Sequence, residues 1–181
     1  MAKPPKPIMT HDEERYMAFS GLLQWTQTCV FQSDRTSAAL QNQLSILGSD
    51  RTRDDRRLAI LSFHSECHFF VVAANKLIEF KTWALTFGLW STVNFAEIDS
   101  LNAQIIRDLR NMREHVVDYF KGAGNTPDRW VLQTPTFSSD ASSVVETNIG
   151  GRLDWLAFGL AAERLLLKLL LEPIPNLPVL D

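Results

Sequence analysis

Between residues 98 and 120 an apolar residue returns every three or four positions, at Ile98, Leu101, Ile105, Leu109, Met112, Val116 and Phe120. Only an α-helix gathers such a series onto one face. The stretch therefore predicts one long amphipathic helix. Asn94 and Glu97 stand at capping-box spacing before it, and Gly122 and Gly124 follow it. A stripe that long must be covered, so the rest of the chain has to supply packing partners.

Two further helical patterns supply them. Thr10 and Glu13 repeat the capping-box spacing, and Tyr16, Phe19, Leu23, Thr26 and Val30 follow at helical intervals. A polar break at Gln32–Asp34 predicts the end of that helix. A weaker one then carries Leu40, Leu44 and Leu47 and stops at Gly48. The next pattern runs from about Arg56 to Phe80, with Asp54 and Asp55 at its positive dipole end. Ile60, His64, Cys67, Val71, Ala74 and Ile78 mark one face, and Phe63, Phe70 and Leu77 the adjacent one. So wide an apolar arc predicts a central helix packed on more than one side.

Thr86–Val93 reads as a connection. Residues 125–151 change character: WVLQT and SSVVETNI are β-rich and flank TPTFSSD, which predicts a hairpin or two short strands. A last helix spans Asp154–Leu171, closed by Pro173 and Pro175. The expected fold is all-α, an antiparallel bundle of four to five helices with a small β-hairpin insertion before the last one. Residues 1–9, rich in Pro and Lys, read as a flexible arm, and 10–181 as a single domain.

Composition narrows the function classes. With 181 residues, 45% of them hydrophobic, wholesale disorder is excluded. Eighteen basic against 21 acidic residues give a net charge of −3, so a uniformly cationic nucleic-acid coat is excluded as well. Two cysteines, Cys29 and Cys67, cannot build a disulfide framework and read as buried free thiols. The N-terminal stretch has no apolar core of a secretory signal, and Leu153–Leu171 is interrupted by Glu163, Arg164 and Lys168. The expectation is a soluble, cytoplasmic protein with no membrane partner.

The helix after Asn94 has a second face. On a helical wheel of about 100° per residue, Arg107, Arg110, Asn111, Glu114 and His115 fall outside the apolar arc. Asn111 and His115 are one turn apart and can touch. Arg110 and His115 are separated by about 7.5 Å along the axis, a gap an arginine can span to share a phosphate with the imidazole.

The string RNMREH, Arg110 to His115, resembles the Arg-x4–6-His signature of the HEPN superfamily, with Asn111 matching the polar residue often seen directly after the Arg. Its setting, late in a long helix of a small bundle, is similar too. Twelve Arg, four His and eight Asn would produce the Arg–Asn–His spacing by chance about 0.01 times in such a chain.

The resemblance implies a metal-independent endoribonuclease that acts as a homodimer, paired motif helices bringing two Arg–His sets into one cleft. By that analogy His115 is a general acid or base for attack of an RNA 2′-hydroxyl on its own phosphate. Arg110 holds the phosphate, and Asn111 orients His115 or the phosphate. Arg107, Arg113 and Glu114 flank the motif as substrate-binding candidates. Products would carry 2′,3′-cyclic phosphate ends, no metal or cofactor is needed, and a toxin or defence effector is the implied role.

Rival readings rest on the same residues. Arg110 and Glu114 are one turn apart and can form a solvated ion pair, which suits a non-catalytic interaction or nucleotide/RNA-binding module, with a protein partner in place of a substrate. His64, Cys67 and His68 in HSECH have a spacing that could ligate a metal, but a zinc site needs further ligands, so packed helix residues are the expectation. Arg51, Arg53, Arg56 and Arg57 form the densest basic run, and Asp50, Asp54 and Asp55 among them predict a helix start that pairs with itself.

Overall fold

The computed structural model describes residues 9–124 and 127–173. The expected arm at 1–9 therefore lies almost wholly outside the described residues, as does Pro175. The described chain is a mostly-α bundle: α1 (His11–Leu47), α2 (Arg53–Thr86), α3 (Ala96–Asp99), α4 (Ala103–Glu114), α5 (Val116–Phe120) and α6 (Trp155–Leu171). Between α5 and α6 lie a 3-10 turn, Pro127–Arg129, and five short strands.

Helix α1 begins as its sequence predicts, with the Thr10 hydroxyl accepting from the Glu13 N–H while the Glu13 carboxylate accepts from the Thr10 N–H at 2.6 Å. It does not end at Gln32–Asp34. Those polar residues are absorbed by packing: Gln32 and Ser33 are buried, and the Gln32 amide donates to the backbone oxygen of Glu66 and to its carboxylate. Helix α1 thus runs unbroken for 37 residues, about 55 Å. Helix α2 starts at Arg53, three residues earlier than expected, because Thr52 and Asp55 form a second capping box. It is antiparallel to α1 and lies at the centre of the bundle, touching α1, α4 and α6. Among the described residues it is the one helix long and apolar enough to cross a membrane by length and composition, and 44% of its most apolar window is buried inside the bundle.

Phe63, Cys67, Phe70, Val71, Ala74 and Leu77 of α2 form the middle of the core with Leu22 and Cys29 of α1 and Trp155, Phe158 and Leu165 of α6. Helix α6 lies close on α1 because Gly159 admits Ser33; a β-carbon at 159 would overlap that side chain. Asp154 caps α6 by accepting from Leu156 N and Ala157 N.

The long helix expected over 94–120 is three pieces. Asn94 accepts from Ala96 N and opens only the four-residue α3, and Glu97 turns away to pair with Arg164 of α6 at 2.6 Å. Asn102 caps a new helix, α4, whose buried residues are Ile106, Leu109 and Met112. The core stripe is therefore turned from the one expected: Ile106 takes the place of Ile105, while Phe120 is 72% exposed.

The insertion holds more strands than one hairpin. β1 (Val131–Gln133) pairs antiparallel with β2 (Ser138–Asp140), so the TPTFSSD stretch supplies a strand. β3 (Val144–Val145), β4 (Asn148–Ile149) and β5 (Leu153–Asp154) form a separate antiparallel meander, with Val144 opposite Ile149 and Ile149 opposite Leu153. Gly150 makes its last turn at φ +60, where a side chain would be strained and would also press on Leu109. The insertion thereby seats its buried Ala141, Ile149 and Leu153 in the common core beside α4.

Candidate functional site

Helix α4 ends where its polar cluster is densest. His115, at φ −108 and ψ 30, donates its N–H to the Asn111 carbonyl and closes α4; its own carbonyl accepts from Asp118 N and Tyr119 N and opens α5. The imidazole stands at this junction with its side chain 61% exposed, and Nδ1 lies 3.6 Å from Asp118 Oδ2. Asn111, His115, Asp118 and Tyr119 line an open cleft of about 310 Å³. One wall is braced by Tyr119, whose ring stacks on Trp130 at 5.3 Å. Trp130 is thus half-buried beneath α5, whereas Phe137 is exposed.

Arg110 stands at the rim of the cluster. Its Nη1 donates to Asn111 Oδ1 at 3.0 Å, and its Nη2 pairs with Glu114 Oε2 at 2.7 Å. Arg107, one turn earlier, is exposed and makes no ion pair among the described residues. Arg110 is therefore joined to Asn111 and Glu114, Asn111 shares the cleft with His115, and Arg107 is an outlying charge.

Arg113 stands apart. It runs inward from α4 and donates through Nη1 to the carbonyls of Ala141 (3.0 Å) and Ser142 (3.2 Å), and through Nη2 to the carbonyl of His64 (3.3 Å). Its guanidinium ties α4 to the insertion and to α2. Burial lowers its pKa, and its Nε is enclosed without an acceptor. Nothing in the string RNMREH separates Arg113 from Arg110; only the position of the insertion does.

Of HSECH, Cys67 is fully buried, and burial pushes its thiol up to about 12. His64 and His68 are half-buried on the flank of α2 that faces Arg113. Burial first, and Arg113 second, hold both imidazoles below their ordinary pKa. The basic run is not self-paired as expected: Arg51, Arg53, Arg56 and Arg57 make no ion pair among the described residues. Arg56 donates to the Ser49 carbonyl, while Asp55 is engaged in the cap of α2. Comparison with protein-family models, with curated proteins and with solved structures gives no match to this chain.

Proposed function

We propose that the chain is a HEPN-like, metal-independent endoribonuclease that works as a homodimer through the α4–α5 region. The observation that carries this reading is that Asn111 and a solvent-facing His115 line one cleft, with Arg110 hydrogen-bonded to Asn111. Those are the groups that cleavage by an internal nucleophile requires. A base takes the proton of the ribose 2′-hydroxyl as its oxygen bonds to phosphorus. An acid gives a proton to the departing 5′-oxygen as the old P–O bond breaks. The product is a 2′,3′-cyclic phosphate and a 5′-hydroxyl.

One imidazole cannot fill both roles at one moment, so a second copy of His115 in the same cleft would supply the other. Val117 and Phe120, 57% and 72% exposed, form an apolar patch on α5 directly after His115 and suit a contact between copies. Arg110 would exchange Glu114 for a substrate phosphate. A half-exposed pair such as Arg110–Glu114 is worth only about 0–1 kcal/mol, and a bidentate guanidinium–phosphate contact is stronger. A toxin or defence role is the one such an enzyme would suit.

The same Arg110–Glu114 pair is the observation that favours the second reading, a non-catalytic interaction or RNA-binding module in which the cluster is already self-satisfied. The experiment that separates them is RNA cleavage in EDTA, wild type beside His115→Ala, with product ends identified and the fold of the variant checked by circular dichroism. Cyclic phosphate ends from the wild type alone support the nuclease. Cleavage that persists in a folded His115→Ala protein refutes it. RNA binding without cleavage over varied RNAs, tightened by Glu114→Gln, favours the module.

A further inference from the structure

On the other flank of α4 lies a second pocket, of about 330 Å³, between α2 and the start of α5. His64 and His68, one turn apart on α2, share its wall with Arg113, Leu61, Phe69 and Val116 give it an apolar side, and Ser65 and Ser142 complete the lining. The Arg113 charge there has no directly paired carboxylate among the described residues, and all three of its hydrogen bonds go to neutral backbone carbonyls. Asp140, the acid that acts on it from the insertion, spends its Oδ1 on the N–H groups of Ser142 and Ser143 and on the Ser142 hydroxyl.

Such a wall selects the sign of its ligand. A divalent cation offered to the two imidazoles would meet the Arg113 charge beside them. An anion meets that fixed charge and two rings that can each take up a proton and donate a charge-assisted hydrogen bond. The apolar half of the pocket has no use for a bare ion but can hold a carbon skeleton. We propose that this pocket binds the phosphate or sulfate group of a small monoester, with the organic part of the ester against Leu61, Phe69 and Val116. The site is distinct from the Arg110–Asn111–His115 cluster and does not rest on the ribonuclease reading.

The charged groups that act on the two rings are Arg113, Arg110 and Glu114 from α4 and Asp140 from β2, with Cys67 buried between them on α2. Arg113 and burial disfavour the imidazolium forms; a bound anion favours them. Anion binding is therefore coupled to proton uptake, and affinity rises as pH falls through the imidazole range.

Ring signals of the four histidines, His11, His64, His68 and His115, give four titration curves by NMR in one sample. Sulfate monoesters keep their charge across this range, so methyl sulfate, phenyl sulfate and inorganic sulfate are the probes. The expected result is that the esters raise the titration midpoints of His64 and His68 and leave those of His11 and His115 in place. Phenyl sulfate binds about tenfold more tightly than methyl sulfate, from the apolar area it buries. His64→Gln together with His68→Gln, or either change alone if the pair unfolds, weakens binding by about tenfold or more. Equal shifts of all four rings, the mark of general screening, overturn the proposal. So do unmoved midpoints under ester concentrations that saturate a millimolar site, and so does binding of inorganic sulfate alone.

Discussion

Replacing Arg113 by Met keeps the apolar stem and removes the group that joins three elements. The three carbonyl oxygens of His64, Ala141 and Ser142 lose their charged donor. At about 1.5 kcal/mol for each charge-assisted bond the gross loss is about 4–5 kcal/mol. Part of that returns, because a guanidinium buried without a carboxylate carries a desolvation cost on the order of 2 kcal/mol. The net expectation is a loss of about 2–3 kcal/mol. For a chain of this size that corresponds to a fall in Tm of about 5–10 °C. Urea unfolding of wild type, Arg113→Met and Arg113→Lys measures it. Lysine, a point charge on a flexible stem, should recover only part of the loss, since it cannot present a planar fork to three acceptors. A stability for Arg113→Met within about 0.5 kcal/mol of wild type would refute the reasoning, because exposed surface changes are of that size. It would return Arg113 to the RNA-binding role that its place in RNMREH implies.

Three other outcomes are expected. His64 and His68 have folded pKa values below the ordinary imidazole value near 6.5, so the unfolded chain binds more protons there. Stability should be level above that pH and fall as the solution is acidified below it, and His64→Gln with His68→Gln should flatten the slope in chemical denaturation at stepped pH. Gly159→Ala gains up to about 1 kcal/mol of helix propensity but drives a methyl group into Ser33, a net destabilisation of about 1–2 kcal/mol by calorimetry; a more stable variant would show that α6 can slide. Cys29 and Cys67 are fully buried, with thiol pKa values raised by burial, so neither should react with a disulfide reagent until the chain unfolds. Rapid labelling in the native state would contradict that packing.

Local chemistry was legible in this sequence wherever a few neighbouring residues settle the matter. Thr10 and Glu13 close their cap within four positions, and Asp154 needs only the N–H groups two and three residues on. What was not legible depends on partners distant along the chain. Gln32 looks like a break until Glu66, 34 residues on, receives its amide. Ser33 looks solvated until Gly159 makes room for it. The even spacing from Ile98 to Phe120 is a true helical period, yet Asn102 and His115 interrupt the backbone, and Phe120 has the spacing of a core residue without the burial. Of the site, the wheel separates Arg107, Arg110, Asn111, Glu114 and His115 from the core. It cannot assign Arg113, whose acceptors lie on the insertion and on α2. The pocket beside His64 and His68 was half visible: HSECH showed the imidazoles, and nothing in it showed the arginine that opposes them.

The unequal helix lengths have a mechanical consequence. Helices α1 and α2 extend about 50 Å or more, whereas α6 spans about 25 Å. The last fully buried residue of α1 is Thr36 and the first of α2 is Ala59, so the turn between them and the helix ends that flank it bury no side chain completely. That tip is a lever fixed at one end only. It can splay and reclose while the clamped half holds its shape, and amide protons should exchange along it in a gradient, fastest near Gly48 and slowest as each strand of the hairpin passes beneath α6.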